Sequence, residues 1–397
     1  MSQRIVIIHD YFITYGGAEK TVEAWLELYP KAVIQTGFFV AEKFRGTIFE
    51  KLYQRGQIKV TSEQIFFHTY NPTYFKMLFW LHPIAAFFHP QIRNADLILI
   101  SSVYSGKYFR FKPGIPIVHY CHSPTRFLYP EMRTELDHSK FNIGIKIILA
   151  PIKFVLRIWD QHVARILAKR ALWLTNSPYN QKIIENIYHI TPQVMYPPID
   201  IYRFAGTVRE AIVNRTQYVM YGRVVQIKHV ERAVLACIKL KQSLIVIGDT
   251  SSPEYLVTLN ELIEHNHASN YITITGDITD ADKMVYFSSA IALLFPALED
   301  FGIAPIEVLG AGIPIIAIKG AGALEYVQQD INGVFFEEGV NENRTITNLV
   351  QAMKKFDISK FPDEVVKNSI KLFDSLHKDE LQEVITRATP PSPVQKP

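Results

Sequence analysis

The sequence predicts an α/β protein of two domains, each built around a parallel β-sheet with helices on both faces. Short runs rich in Ile, Val and Leu alternate with amphipathic helical segments, which is typical of strands buried on both faces of a sheet. The chain has 397 residues, of which 48% are hydrophobic, whereas a single core stops growing near about 250–300 residues. The alternation pauses at Met195–Phe204, whose adjacent prolines suit a rigid connector, and then restarts. We therefore expect two doubly wound domains of similar size.

The first domain, residues 1–196, is expected to open with a strand, a loop and a helix. Arg4–His9 is a short apolar run, Asp10–Gly17 is polar and contains two glycines, and apolar residues recur at helical spacing within Ala18–Tyr29. Ser177 followed by Pro178 predicts the N-cap and first turn of a later helix. Further strands are predicted at Ala32–Thr36, Leu97–Ser101, Pro116–His119 and Ala171–Thr175.

The second domain, residues 197–368, repeats the alternation. Its predicted elements include strand Tyr218–Tyr221, a loop through Lys228, a helix to Leu240, and strands Ser243–Ile247 and Ile315–Ile318. Asp363–Arg387 is predicted to form one or two helices, because no strand pattern remains there. Residues 369–397 are expected to form a C-terminal helix and a disordered Pro-rich tail that pack toward the first domain.

Composition excludes several classes of protein. Lysine and arginine exceed the acidic residues by only four, so the chain lacks the strong positive field of a nucleic-acid-binding protein. Cys121 and Cys237 are far apart and have no metal-ligand spacing, which predicts neither a disulfide framework nor a zinc site. A reducing, cytoplasmic location is expected, since the N-terminal apolar run is shorter than a signal-peptide core.

Two apolar stretches contain basic and aromatic residues but are too short or too charged to cross a membrane. They are Tyr74–Pro90 and Phe141–Trp159, the second interrupted by Lys146, Lys153 and Arg157. Such segments either bind the anionic inner face of the cytoplasmic membrane or pack as core helices. Both readings remain open from the sequence.

The segment Pro296–Ala317 carries the clearest chemical signal. A strand is predicted to end there, followed by Glu299 in a loop, a helix that opens near Ala304, and Glu307 one turn into that helix. The amides of Phe301, Gly302 and Ile303 would point out of the helix N-terminus toward an anion or sugar hydroxyls. Both carboxylates would lie at the carboxyl edge of a parallel sheet, where such folds bind ligands.

Two cations follow the first strand of the second domain. Arg223 and Lys228 lie in one loop, after Gly222. Together they can neutralise a diphosphate leaving group without a metal. Alone, such a pair would more often belong to a solvated loop.

The segment EDFGIAPIE at residues 299–307 resembles the Glu-x7-Glu signature of retaining glycosyltransferase family 4, which has the GT-B fold. The resemblance covers nearly the whole chain and is to bacterial mannosyl- and glucosyltransferases of polysaccharide biosynthesis. It implies two Rossmann-like domains facing a central cleft, with C-terminal helices crossing back to the first domain. It also implies retention of anomeric configuration, with departure and attack on the same face of the donor sugar and no metal.

In the second domain the resemblance implies roles for five positions. Arg223 and Lys228 would bind the donor diphosphate and act in catalysis with Glu299, which would orient the sugar. Glu307 would hold the ribose hydroxyls, and the nucleotide base would lie against the backbone near Ile278.

In the first domain the resemblance implies a glycine loop and a catalytic histidine. Gly16 and Gly17, before Glu19, are similar to the family's Gly-Gly-Ala-Glu loop, which approaches the donor phosphate or the acceptor. His122 would contact the donor sugar in a catalytic role, and Arg126 would hold an acceptor phosphate.

Asp280 and Asp282 form an Asp-x-Asp sequence that mimics a metal motif of another transferase fold. We interpret these residues instead as part of the N-cap of a helix over Lys283–Ala290. The sequence therefore predicts no metal and no cofactor.

The predicted reaction moves a hexose from a nucleoside-diphosphate sugar, with UDP-hexose favoured over GDP-mannose, to a saccharide or lipid-linked saccharide. Three alternatives remain. A dehydrogenase would need a GxGxxG fingerprint, which YGGAEK does not supply. A sugar-nucleotide epimerase or phosphorylase would share the fold, and a non-catalytic scaffold would not need the phosphate-binding residues.

Overall fold

The computed structural model describes residues 3–61, 81–129, 143–250, 252–374 and 376–388, with the side chains of 143–149 and 376–378 outside the description. The chain divides into two compact units. Unit 1 comprises the residues up to Pro198 together with the last helix, and unit 2 comprises Ile199–Asp374. Unit 1 first ends at residue 198, two residues after the predicted end of the first domain at 196. Unit 2 ends at residue 374, six residues after the predicted end of the second domain at 368.

Unit 1 contains a parallel sheet with the spatial order β3-β2-β1-β4-β5-β6-β7. Its strands are β1 (Ile5–Phe12), β2 (Val33–Phe39), β3 (Ile58–Val60), β4 (Leu97–Ser102), β5 (Ile117–Cys121), β6 (Ala171–Thr175) and β7 (Gln193–Val194). The order reverses between β1 and β4, whose carboxyl ends therefore flank the topological switch point of the unit.

Helices cover both faces of this sheet, because successive side chains of a strand point to opposite faces. Ile5 and Ile7 of β1 belong to one hydrophobic core, whereas Val6 and Ile8 belong to the other. The helices before the second unit are α1 (Gly17–Leu28), α2 (Ile48–Gln54), α3 (His82–Phe88), α4 (Ile143–Ala168) and α5 (Pro178–Tyr188). Ser177 caps α5 by accepting from the Asn180 amide, which confirms the predicted N-cap.

Unit 2 repeats the architecture, with a parallel sheet in the order β10-β9-β8-β11-β12-β13. Its strands are β8 (Gln217–Tyr221), β9 (Ser243–Ile247), β10 (Ile272–Gly276), β11 (Ala290–Phe295), β12 (Ile315–Ile318) and β13 (Gly333–Phe336). Its helices are α6 (Val230–Leu240), α7 (Pro253–His265), α8 (Asp280–Ser288), α9 (Ile303–Leu309), α10 (Glu342–Lys355) and α11 (Asp363–Asn368). The predicted fold class of two doubly wound α/β domains is confirmed.

The last helix, α12 (Leu376–Ala388), belongs to unit 1. Leu381, Val384 and Ile385 lie within the core that covers one face of the first sheet. The predicted tail at 389–397 lies outside the described residues.

Two element predictions were wrong. Asp10 belongs to β1 rather than to the following loop, because its buried carboxylate accepts from the amides of Val103, Tyr104 and Gly106 at 2.6–2.7 Å. The helix predicted at Lys283–Ala290 begins three residues earlier, because the Thr279 hydroxyl caps it by accepting from the Asp282 amide.

Among the described residues, no helix combines the length and the apolar character needed to cross a membrane. Residues 74–80 and 141–142 of the two predicted membrane-surface stretches lie outside the described part of the chain.

Candidate active site

The carboxyl ends of β8 and β11 lie side by side in unit 2, because these parallel strands are neighbours where the strand order reverses. Ligands bind at this point in doubly wound sheets, since the loops that leave neighbouring strands diverge there. The loop after β8 carries Gly222, Arg223 and Lys228, and the loop after β11 carries Glu299. The fold thus brings these side chains to one edge of the sheet.

A pocket at this edge joins the predicted diphosphate-binding cations and the first predicted acid. Arg223, Lys228 and Glu299 line it together with seven further residues, namely Met220, Tyr221, Gly222, Val230, Val246, Leu294 and Phe295. Lys228 and Glu299 form an ion pair in which about a fifth of each side chain is exposed. Arg223 is exposed, and its guanidinium makes no hydrogen bond or ion pair within the described residues.

Glycines let two chain segments meet beside this pocket. Gly222 has a φ of +137° and Gly248, after β9, has a φ of +150°. A Cβ on Gly248 would lie 1.8 Å from the Gly222 carbonyl oxygen. A side chain at position 248 would therefore displace the loop that carries Arg223.

Glu307 lies next to the pocket but is held by other protein groups. The residue is 1% exposed, and its carboxylate accepts from the Arg203 guanidinium at 3.2 Å and from the Tyr221 hydroxyl at 3.4 Å. Burial, and then the charge of Glu307, raise the pKa of Tyr221. Tyr221 also lines the pocket, so it connects Glu307 to Lys228 and Glu299.

Arg203 holds a second carboxylate with the same guanidinium. Its Nε and Nη2 donate to the two oxygens of Asp280 at 2.9 and 3.1 Å, and Lys283 donates to Asp280 at 3.0 Å. Burial alone would lower the pKa of Arg203, but the Asp280 hydrogen bonds and the Glu307 charge raise it. Asp280 is therefore neutralised by protein cations.

The Asp-x-Asp sequence does not form a cluster of open carboxylates. Asp280 is bound by Arg203, and Asp282 accepts from the Thr279 hydroxyl at 2.6 Å. Ile278 is half-buried in the loop after β10, at the same sheet edge as the pocket.

One other group of described side chains brings possible metal ligands together. His229, Glu231 and Glu342 place ligand atoms within 4.8 Å of one another. The Arg232 guanidinium binds both oxygens of Glu342, and the Tyr255 hydroxyl donates to Glu231. The arrangement serves to join α6, α7 and α10.

The turn before α9 is tightly packed. Phe301 is 3% exposed and contacts the rings of Tyr326 and Phe373. Gly302 caps α9 with a φ of +93°, and a Cβ there would lie 2.8 Å from the Tyr326 hydroxyl. Ile303 begins the helix, so packing fixes the orientation of all three predicted donor-binding amides.

In unit 1, the glycine loop forms the start of α1. Gly16 is the N-cap, Gly17 is the first helical residue, and the Gly16 amide donates to a carboxylate oxygen of Glu19 at 2.9 Å. The protein's own carboxylate therefore binds the Gly16 amide. The donor-binding roles of Gly16 and Gly17 stay predictions.

His122 follows β5, and hydrogen bonds restrain both its backbone and its ring. Its carbonyl accepts from the side-chain amides of Asn176 and Asn180, and its Nε2 lies 2.8 Å from the Ser101 hydroxyl. Arg126 begins a short turn after this loop, and its Nε donates to the Ser123 hydroxyl at 3.1 Å.

Residues 208–382 match the family model for glycosyl transferases group 1. The chain carries a glycosyl transferases group 1 domain. The matched segment begins within unit 2 and contains Arg223, Lys228, Glu299 and Glu307.

The chain is similar to several curated proteins that are mannosyltransferases by name. It is 23% identical over 190 residues to alpha-1,3/1,6-mannosyltransferase ALG2 of Homo sapiens, covering 41% of this chain and 46% of that protein. It is 22% identical over 266 residues to the Mus musculus ALG2, covering 60% and 59%. The matches thus span about half the length of these relatives.

Solved structures show that the chain has the GT-B fold. The Anabaena HepE protein in complex with UDP is 14% identical, with a TM-score of 0.63 over 97% of this chain and 100% of that chain. Sucrose-phosphate synthase of Thermosynechococcus elongatus is also 14% identical, with a TM-score of 0.64 over 97% and 99%.

Sequence reasoning missed two residues that shape the site of the group 1 domain. Arg203 contacts Glu307 from 104 residues away, and Tyr221 joins Glu307 to the pocket. Tyr221 ends a predicted strand beside Gly222, which was a usable signal. Arg203 lies in the linker, where nothing in the local pattern indicates a partner.

Proposed function

We propose that the protein is a retaining, metal-independent glycosyltransferase that moves a hexose from a nucleoside-diphosphate sugar to a saccharide or lipid-linked saccharide in polysaccharide biosynthesis. The observation that carries this proposal is the shared pocket of Arg223, Lys228 and Glu299. It lies at the switch point of a group 1 domain and contains both cations needed for a diphosphate.

Arg223 and Lys228 stabilise the leaving diphosphate in this proposal. Cations aimed at the position where negative charge develops lower the barrier, each contributing roughly a factor of 10²–10³. Lys228 pairs with Glu299, so an arriving diphosphate competes with this carboxylate for the ammonium group. Once Lys228 turns to the diphosphate, Glu299 becomes available to accept from a sugar hydroxyl.

The chemical step follows from retention of configuration. The bond between the anomeric carbon and the diphosphate oxygen breaks, and the acceptor oxygen bonds to that carbon from the same face. A donor phosphate oxygen takes the acceptor proton. Glu299 orients the sugar in this scheme, and Glu307 binds the ribose hydroxyls. His122 of unit 1 is proposed to bind a sugar hydroxyl and Arg126 an acceptor phosphate.

The comparisons support two donor classes. Structural neighbours include HepE with UDP and with UDP-glucose, which supports the UDP-hexose favoured by the sequence. The ALG2 relatives are named mannosyltransferases, which supports a mannosyl donor such as GDP-mannose. Both donors therefore belong in the test.

The proposed acceptor is lipid-linked because α4 has a continuous apolar surface. Phe154, Val155 and Ile158 are 61%, 63% and 54% exposed on this helix, and Phe88 of α3 is 72% exposed. Lys153 provides a basic group in the same turn. Such a surface fits peripheral binding to an anionic cytoplasmic membrane, where a lipid-linked acceptor resides.

The test supplies purified protein with radiolabelled UDP-glucose or GDP-mannose, with and without a bacterial lipid extract, in the presence of EDTA. We expect release of the nucleoside diphosphate and transfer of label into the lipid fraction from one donor. Arg223→Ala and Lys228→Ala should each lower turnover at least about 10²-fold. Lys239→Ala, on the exposed face of α6, is the matched control and should keep wild-type turnover.

Other products would overturn the proposal in identifiable ways. Recovery of an epimeric sugar nucleotide would indicate an epimerase, and sugar 1-phosphate formed with inorganic phosphate would indicate a phosphorylase. Nucleotide binding without turnover of either donor would indicate a scaffold. A strict magnesium requirement would contradict metal independence.

A further inference from the structure

Four buried polar side chains form one continuous chain in unit 1. Glu19 Oε1 lies 3.4 Å from His9 Nε2, His9 Nδ1 lies 3.2 Å from Ser101 Oγ, and Ser101 Oγ lies 2.8 Å from His122 Nε2. The four residues are between 0% and 9% exposed. They come from α1, β1, β4 and the segment after β5, so the fold itself assembles the chain.

The Glu19 end of this chain has a defined hydrogen-bonding polarity. Oε2 of Glu19 accepts from the Gly16 amide at 2.9 Å, and Oε1 faces His9. An ionised carboxylate can only accept hydrogen bonds. His9 Nε2 must therefore carry a proton and donate it to Glu19.

The exchangeable protons of His9 and Ser101 then determine the remaining hydrogen-bond donors. A neutral His9 with a proton on Nε2 presents Nδ1 as an acceptor. Ser101 donates its single hydroxyl proton to that Nδ1. The Ser101 oxygen is then left to accept, and His122 Nε2 must be the donor.

We propose that Glu19 is a positioning residue that fixes the tautomer of His122 through His9 and Ser101. In the assigned tautomer, Nε2 of His122 carries the proton and Nδ1 is a hydrogen-bond acceptor. If His122 binds a sugar hydroxyl, which rests on the proposed function, Nδ1 accepts the hydroxyl proton. The oxygen of that hydroxyl then keeps its lone pairs for other donors.

An isosteric substitution tests the assignment because it reverses the donor-to-acceptor direction of every hydrogen bond between Glu19 and His122. In Glu19→Gln the amide oxygen keeps the Gly16 hydrogen bond, and the NH2 group takes the position that faces His9. His9 Nε2 then accepts, His9 Nδ1 donates to Ser101, and Ser101 donates to His122 Nε2. The proton of His122 moves to Nδ1.

The measurement is two-dimensional NMR of protein labelled with ¹⁵N-histidine, at about pH 8.5, two units above the usual imidazole pKa. Multiple-bond correlations distinguish protonated from unprotonated ring nitrogens. The chain has 13 histidines, and His122→Gln identifies the His122 signals by their loss. We expect the Nε2-protonated form in the wild type and the Nδ1-protonated form in Glu19→Gln.

Two further variants test whether the effect passes along the hydrogen bonds from Glu19 through His9 and Ser101 to His122, called the relay here, or comes from a general change in structure. In a Ser101→Ala background, Glu19→Gln should leave the His122 tautomer unchanged, because the connecting hydroxyl is gone. Glu27→Gln, on the exposed end of α1, should keep the wild-type signals. A wild-type His122 protonated on Nδ1, or an unchanged tautomer in Glu19→Gln, would overturn the proposal.

An activity measurement tests the consequence for the reaction separately. Glu19→Gln should lower kcat by about tenfold while UDP affinity stays at the wild-type value, since UDP lacks the hexose that is transferred. A changed tautomer with unchanged kcat would overturn the sugar contact of His122 and leave the relay standing. Unchanged NMR signals with lowered kcat would overturn the relay.

Discussion

Lys228 and Glu299 form an ion pair inside the pocket that we propose for the donor diphosphate. This ion pair predicts opposite effects on UDP affinity when Lys228 or Glu299 is replaced. Lys228→Met removes a charge-assisted contact worth roughly 1.5–3 kcal/mol, so UDP affinity should fall about 10–150-fold. Glu299→Gln removes a carboxylate that competes with the diphosphate, so UDP affinity should stay equal or rise while sugar transfer falls.

Isothermal titration with UDP measures the affinities, and the transfer assay measures turnover. If GDP proves to be the preferred nucleotide, the same two variants are compared with GDP. Weaker nucleotide binding by Glu299→Gln would contradict the competition between Glu299 and the diphosphate.

Arg203 should support Glu307 as the group that binds the ribose. The Arg203 guanidinium contacts both Asp280 and Glu307, and lysine cannot match this two-sided geometry. Arg203→Lys should therefore weaken UDP binding about tenfold, and its effect should not add to that of Glu307→Gln. Titrations of the two single variants and the double variant form the cycle that measures this coupling. Additive losses would show that Arg203 and Glu307 act independently.

Hydrophobic periodicity was sufficient to predict much of the fold. The strands Ala171–Thr175, Ser243–Ile247 and Ile315–Ile318 were predicted to the residue, because buried parallel strands are short apolar runs bounded by polar residues. Asp10 was assigned to a loop because the neighbouring sequence shows no hydrogen-bond donor for a buried carboxylate in a central strand. The donors are backbone amides after β4, more than 90 residues later in the chain.

The candidate site was predictable where its residues lie in local motifs. Arg223, Lys228 and Glu299 occupy loops that follow recognisable strands, and the sheet order brings those loops together. The contact between Arg203 and Glu307 was not predictable, since it depends on the path of a linker. The relay from Glu19 to His122 likewise requires the register of β1 against β4, which periodicity does not specify.

A buried ion pair should control the stability of unit 1. Asp160 is fully buried, lies 2.9 Å from Lys107 Nζ, and accepts from the hydroxyls of Tyr108, Tyr129 and Tyr188. Burial, and then the Asp160 charge, raise the pKa of each tyrosine, so all three remain donors.

Asp160→Leu should lower the free energy of unfolding by about 3–5 kcal/mol, because it leaves the Lys107 cation buried without a negatively charged partner. Adding Lys107→Met should recover part of that loss. Urea unfolding of the two single variants and the double variant provides the comparison. A double variant less stable than Asp160→Leu alone would contradict the explanation by an unpaired charge.

His119 should make the protein less stable in mild acid. Burial, and then the charge of Lys107, lower the pKa of His119 well below its usual 6.5. Below about pH 6.5 the unfolded chain therefore binds a proton that the folded protein does not, so stability falls as pH falls. Between the pKa of His119 in the unfolded chain and its lower pKa in the folded protein, the loss approaches about 1.4 kcal/mol per pH unit.

His119→Phe removes this proton and keeps a ring against Trp173, with which His119 makes an edge contact at 4.2 Å. Its free energy of unfolding should fall less than that of the wild type between pH 7.5 and 5. Replacement of the exposed His265 by Gln is the control and should keep the wild-type pH dependence. Equal pH dependence in His119→Phe and the wild type would show that His119 is not the acid-sensitive group.

The apolar surface of α4 should determine binding to anionic membranes. Phe154, Val155 and Ile158 are each more than half exposed, so replacing them with serine removes apolar area from the membrane contact without opening the core. Full burial of one such side chain is worth roughly 1.5–3 kcal/mol, so even shallow insertion of all three predicts at least about a tenfold loss of binding. Flotation with phosphatidylglycerol vesicles measures this binding.

The matched control replaces Val208 and Val213 of unit 2, each 84% exposed, with serine. The control should float like the wild type, whereas equal flotation of the α4 variant would assign membrane binding to another surface or to none.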